Sequence, residues 1–170
     1  MNTEPTKRVW LNGTFDVLHL GHIKLFQHSK KLYPNSIICV GVDTDDRVRQ
    51  MKGPNRPINP LAFRVEFLKS IRFIDQVVTF QTDSDLRNEI ALFNPDVMCI
   101  GDDYRHHTII GEELIPRIEY VKRFDGLSTT SLIECQNCGY TWFFGQCLNG
   151  FTPVTACSSP AAYVNFATGT

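Results

Sequence analysis

The chain has 170 residues, of which 42% are hydrophobic and 21% charged, and its formal net charge is -1. That is the profile of an ordinary soluble globular chain, one domain long, with room for a real core. It excludes a chain-wide pull towards nucleic acid or anionic lipid, so any anion site has to be built locally. No apolar run reaches the roughly 18 residues that span a bilayer. Met1–Lys7 is polar and lacks a signal-peptide core. The expectation is a cytoplasmic protein that engages neither membrane nor nucleic acid.

Arg8–Leu11 contains the run Val9-Trp10-Leu11 and reads as a first strand, ending in the turn Asn12-Gly13. From Leu20 to Tyr33, apolar residues at Ile23, Leu25, Phe26 and Leu32 alternate with lysines, the pattern of an amphipathic helix. Ile37–Val42 is a continuous apolar run of strand length, as expected in a parallel sheet covered on both faces. Asp43–Asn59 is polar and basic and reads as a loop. Asn59-Pro60 then resembles an N-cap with proline at the first helical position, opening a helix to about Ile71. Ile74–Phe80 is a third strand. Thr82–Phe93 is a helix with its N-cap expected at Asp83 or Ser84, stopping before Asn94-Pro95. Val97–Ile100 is a fourth strand, broken by Gly101, and Ile118–Val121 a fifth. Ser128-Thr129-Thr130 reads as the start of a last helix.

Strands alternating with helices predict an α/β fold: a Rossmann-like, doubly wound, parallel five-stranded sheet flanked by helices. Ligands in such folds lie beyond the carboxyl ends of the strands. Those ends fall at Gly13–Asp16, Asp43–Asp45, Phe80–Asp83 and Gly101–Tyr104, which are rich in glycine and aspartate.

The phrase from Gly13 to His22 joins the first strand to the first helix. Gly13 and Gly21 let backbone approach phosphate oxygens, and a helix start offers unpaired N–H groups and the positive end of a dipole. His19 and His22 are three apart, so in a helical turn they share a face. Two imidazole donors there can stabilise charge on a pentacoordinate α-phosphorus and on leaving pyrophosphate. Asp16 is a candidate to orient this turn or a metal, or to cap the helix.

Gly13-Thr14-Phe15-Asp16-Val17-Leu18-His19-Leu20-Gly21-His22 resembles the signature of the cytidylyltransferase-like superfamily of nucleotidyltransferases. The resemblance covers about residues 7–133. It implies that His19 and His22 contact a triphosphate and that Gly13, Thr14, Phe15, Asp16 and Gly21 line the nucleotide site. Aminoacyl-tRNA synthetases have a related His-Gly-His turn, but this chain is too short for one and has no Lys-Met-Ser-Lys-Ser-like loop.

Three further phrases extend the resemblance. Arg47, Arg49, Lys52, Arg56 and Arg64 form a basic cluster suited to clamping phosphates. The phrase Lys52-Gly53-Pro54-Asn55-Arg56-Pro57-Ile58-Asn59, followed by Arg64, is similar to a segment of adenylyltransferases that activate heptose 1-phosphate. It implies Lys52 at the α-phosphate, and Arg56 and Arg64 at the substrate phosphate. Gly101-Asp102-Asp103-Tyr104 corresponds to the family's nucleoside-binding turn, although aspartates are common in any turn. Arg123, followed by Gly126-Leu127-Ser128-Thr129-Thr130, resembles a last motif whose helix start binds phosphates. The implied reaction is NMP transfer from ATP or CTP, with Mg2+ bridging the triphosphate, to a phosphorylated small molecule. A heptose 1-phosphate acceptor is slightly favoured over glycerol 3-phosphate with CTP, and family members are often homodimers.

Beyond residue 133 the resemblance stops. Glu134 stands where relatives carry a basic residue, which motivates the alternative of an inactive nucleotide-binding protein. Residues 134–170 read as a divergent tail. Cys39 and Cys99 lie in apolar runs and are expected to be buried thiols. Cys135, Cys138, Cys147 and Cys157 all fall in the tail, and Cys135-Gln136-Asn137-Cys138-Gly139 is a candidate half of a zinc site.

Overall fold

The computed structural model describes residues 6–122, 142–143 and 146–147. The chain divides into two compact units, Met1–Phe124 and Asp125–Thr170. In the second, strands Trp142–Phe143 and Gln146–Cys147 pair antiparallel. Arg123, Ser128, Thr129, Thr130, Glu134, Cys135 and Cys138 lie outside the described residues.

Among its described residues the first unit holds five strands: β1 (Arg8–Gly13), β2 (Ile37–Asp43), β3 (Gln76–Phe80), β4 (Val97–Gly101) and β5 (Ile118–Val121). All pair in parallel, in the order β3-β2-β1-β4-β5. Four helices accompany them: α1 (Leu20–Leu32), α2 (Asp45–Lys52), α3 (Leu61–Lys69) and α4 (Asp83–Phe93). Side chains on β1 alternate. Val9 and Leu11 enter one core with Phe26 of α1 and Leu68 of α3. Trp10 enters the other with Leu86, Ile90 and Phe93 of α4. The sheet is therefore covered on both faces, as continuous apolar runs require. Cys39 and Cys99 are buried within it, and desolvation pushes their thiols up to about 12 and about 11.

The order reverses between β1 and β4, so the crevice where ligands bind such folds opens there. The ladder geometry widens it. β1 pairs with β2 as far as Gly13–Val42, but with β4 only through Val9–Val97 and Trp10–Met98.

Helix starts differ from the sequence reading in three places. The stretch expected as loop contains α2. Its Thr44 hydroxyl accepts from Arg47 N–H, Asp45 and Asp46 occupy its first turn, and Arg49 and Lys52 its last. Those charges suit the helix dipole, but only Val48 is buried, so no apolar period announced the helix. α3 begins at Leu61, with Pro60 rather than Asn59 as its N-cap. α4 is capped by Thr82, whose hydroxyl accepts from Asp85 N–H while Asp85 accepts from Thr82 N–H. That reciprocal pair displaces Asp83 and Ser84 from the cap.

Candidate active site

At the exit of β1 the chain turns sharply into α1. Phe15 adopts φ 48°, the left-handed region that bulky residues rarely occupy, at a strain of order 1–3 kcal/mol. The residue is 5% exposed. Phe15 was expected to line the nucleotide site, but the ring is packed in the core, so only its backbone can face a ligand.

His19 is the N-cap of α1. Its Nδ1 accepts from Gly21 N–H at 3.1 Å, and His22 Nδ1 accepts from His19 N–H at 3.3 Å. Imidazoles thus perform the reciprocal capping that Ser/Thr and Glu perform in other helices. An accepting Nδ1 places the proton of a neutral imidazole on Nε2. Both rings are then Nε2–H donors, and their centroids lie 3.8 Å apart. Gly13 ends the neighbouring strand. Paired N–H donors at a helix start, where the macrodipole is positive, suit an anion with several oxygens.

Asp16 does not cap α1. It is 2% exposed and turns towards the segment before α3. Its carboxylate accepts from Arg56 Nε at 2.8 Å, Ile58 N–H at 2.9 Å and Asn59 N–H at 2.8 Å. Asn59 Nδ2 donates in turn to Asp16 O. With three donors on two oxygens, this carboxylate holds a loop in place.

Arg64 was expected at the substrate phosphate, and the structure corrects this. The residue is 0% exposed. Its guanidinium donates to Asn59 O, Thr14 O, Asp43 O and Asp45 Oδ1 at 2.7–3.0 Å. A planar fork with several donors suits such a junction. It ties the exits of β1 and β2 to the start of α3.

The other basic residues sort by their partners. Arg47 bonds Asp43 and Asp83. Arg49 pairs with Asp46 on the surface. The side chain of Arg56 is 12% exposed and paired with Asp16. Lys52, at the end of α2, is exposed by area, yet crowding around its ammonium lowers its pKa. Desolvation is the main cause and the Arg56 charge adds to it, while Asp43 and Asp16 act in the opposite direction. Thr14 Oγ1 donates to Asp43 Oδ2 at 3.1 Å, so its hydroxyl works within the frame.

Across the crevice, β4 ends in Gly101 and a 3-10 turn over Asp102–Tyr104. A Cβ at Gly101 would meet the Asp103 carboxylate, an exposed group that would have to turn away. Tyr104 is 49% exposed and meets His107 edge-on, at 6.1 Å between ring centroids.

The structure thus gathers His19, His22, Gly13 and Gly21 at one helix start and links that turn to the Arg56–Asn59 segment through Asp16. Gly101–Tyr104 stands at the other strand bordering the reversal point. Sequence reasoning missed that Asn59 and Asp45 belong to the frame. Asn59 was legible only as a cap residue, and Asp45 only as a strand-end acid.

A doubly wound sheet with an imidazole-bearing helix start beside its reversal point is the setting of a nucleotidyltransferase, and that is the class of this chain. It belongs to the cytidylyltransferase-like family, whose model matches residues 10–136. Among curated proteins, it is 38% identical over 126 residues to the bifunctional protein HldE of Campylobacter fetus and 36% identical to that of Nitratiruptor. In both cases the match takes in 74% of this chain and 27% of the relative, so the chain spans about a quarter of their length. Among solved structures, a lipopolysaccharide core biosynthesis protein from Thermoplasma volcanium matches with TM-score 0.59 and 26% identity, over 71% of this chain and all of that one. Pantothenate synthetase from Thermus thermophilus, at 15% identity and TM-score 0.50, shares the fold. No helix among the described residues is long and apolar enough to cross a membrane.

Proposed function

We propose that the chain transfers AMP from ATP to the phosphate of a sugar 1-phosphate, of the heptose type, with release of pyrophosphate. The observation that carries this reading is the His19–His22 pair: two Nε2–H donors fixed by their own helix cap, next to Gly13 at the reversal point. The heptose preference rests on the Lys52–Arg64 phrase and on the likeness to the HldE proteins.

An oxygen of the acceptor phosphate attacks the α-phosphorus in line. The new P–O bond forms as the bond to the β-phosphate bridging oxygen breaks, and the electron pair leaves with pyrophosphate. Such a reaction needs positioning and charge stabilisation more than covalent help. The two imidazoles donate to triphosphate oxygens as charge moves towards the leaving group. Lys52 supplies a cation from the end of α2, aimed by a loop that Asp16 anchors. Among the described residues no cluster of three or more His, Cys, Asp or Glu could hold a metal, and Asp16 is committed to Arg56 and two amides. Mg2+ would enter with the nucleotide and would supply charge neutralisation on its phosphates. The Gly101–Tyr104 turn faces the nucleoside.

The test is a pyrophosphate-release screen of ATP and CTP against heptose 1-phosphate, other sugar 1-phosphates and glycerol 3-phosphate. Turnover with ATP and heptose 1-phosphate is expected. Turnover only with CTP and glycerol 3-phosphate would overturn the acceptor assignment, and silence with every pair would overturn nucleotidyl transfer itself.

A further inference from the structure

Phe15 is committed twice, through its backbone and through its ring. Its φ of 48° is a conformation that an L-residue with a large side chain seldom adopts. Strain of this kind persists only where the surroundings over-determine it, and it clusters where ligands are clamped. Here the surroundings are specific. The Phe15 ring lies against Gly13, with Cε2 and Cζ each 3.5 Å from where a Cβ on that glycine would stand. On another side its centroid is 5.3 Å from that of the His22 imidazole, with the planes at 64°. Phe26 backs it at 5.6 Å. The ring is thus a wedge between the glycine that ends β1 and the second imidazole of the helix start.

His22 is held along one direction by the bond from His19 N–H to its Nδ1. That bond leaves the ring able to tilt about it. The edge-on contact with Phe15 limits that tilt, and the 3.8 Å stack passes the constraint on to His19. Close packing makes such a stop firm, because a well-packed ring has no adjacent space to move into.

We propose that Phe15 is a positioning residue for the transfer reaction, setting the separation and tilt of the His19–His22 pair relative to the Gly13 turn through its contact with His22. The proposal rests on the nucleotidyl-transfer reading above. A lost wedge misplaces donors that matter most as charge develops, so the rate suffers more than ground-state binding. Misplacement by about 1 Å costs up to 10²-fold in such sites.

The experiment compares Phe15→Leu with Ile38→Val in the full chain. Ile38 is 0% exposed and belongs to the same core, but it sits at the start of β2, away from the carboxyl ends of the strands. Pyrophosphate release gives kcat and KM for the nucleotide, and thermal melts give stability. The expected result for Phe15→Leu is a kcat about tenfold lower, with KM changed less than about twofold. Ile38→Val loses comparable stability at unchanged kcat. Phe15→Met, also close in volume, repeats the test if the leucine variant does not fold. An active wild type whose Phe15 variants keep full kcat while melting lower overturns this inference alone, because the ring would then be packing and nothing more. A rise in KM at constant kcat overturns it too. A wild type that releases no pyrophosphate with any acceptor overturns both this and the reading beneath it.

Discussion

Replacing Asp16 by Asn tests whether one buried carboxylate fixes the loop that follows Lys52. The change is nearly isosteric, so shape is kept and only donors and acceptors are altered. Asp16 Oδ2 accepts from Arg56 Nε and Ile58 N–H, and Oδ1 from Asn59 N–H. In Asp16→Asn the surviving oxygen can serve the first two, which turns the amide NH2 against Asn59 N–H. One buried donor then faces another, at about 1–3 kcal/mol. Arg56, whose side chain is 12% exposed against 1% for Asp16, also loses its counter-charge. Breaking a fully buried pair costs about 3–5 kcal/mol, and the partial exposure of Arg56 places its share below that range. A total of about 3 kcal/mol lowers the melting temperature of a domain this size by roughly 10 °C, and most domains tolerate that loss. Circular-dichroism melts give the stability, and pyrophosphate release gives kcat and KM at a temperature where the variant is folded. Turnover is expected to fall, because Arg56–Asn59 is no longer pinned beneath the crevice. A variant that melts within about 2 °C of wild type and turns over normally would refute the reasoning.

Three other outcomes follow from the same geometry. His19→Asn keeps a good N-cap acceptor but removes the imidazole. Melting should stay within about 1 kcal/mol of wild type while pyrophosphate release falls on the order of 10², and normal turnover would remove His19 from the chemistry. Arg64→Met strips the bonds to three main-chain oxygens and Asp45. A loss of about 3–5 kcal/mol is expected, read as a lower urea midpoint, and an unchanged midpoint would contradict the buried junction. The proposed reaction uses Lys52 as a cation, and desolvation with help from Arg56 has lowered its pKa. Its contribution is therefore present below that pKa and lost as pH rises through it, earlier than for an ordinary lysine. kcat/KM should show an alkaline limb, which Lys52→Arg removes because guanidinium stays charged; a limb that persists in the variant assigns it to another group.

Much of this architecture was legible because parallel strands announce themselves. Ile37–Val42 and Val97–Ile100 are apolar without interruption, and both strands extend one residue beyond the expected span. α2 escaped because a helix with one buried residue has no apolar period. Its signature was electrostatic instead, with Thr44 and two aspartates ahead and Arg49 and Lys52 behind. The histidine pair could be placed from spacing alone, but its use as the helix cap could not, since imidazole is not among the usual capping groups. Arg64 shows where sequence reasoning stops. In the sequence it is one of the five cations of the basic cluster, and only the fold reveals that its partners lie 5 to 50 residues away and take up four of its N–H donors.

Three of the four groups that Arg64 grips are main-chain oxygens, at Thr14, Asp43 and Asn59. Every amino acid supplies that oxygen, so the grip does not read which residues occupy those positions. The strand exits and the approach to α3 can therefore exchange side chains while their mutual spacing is inherited unchanged. That separation of frame from lining lets the loops at this end of the sheet change without rebuilding the corner that holds the His19–His22 turn.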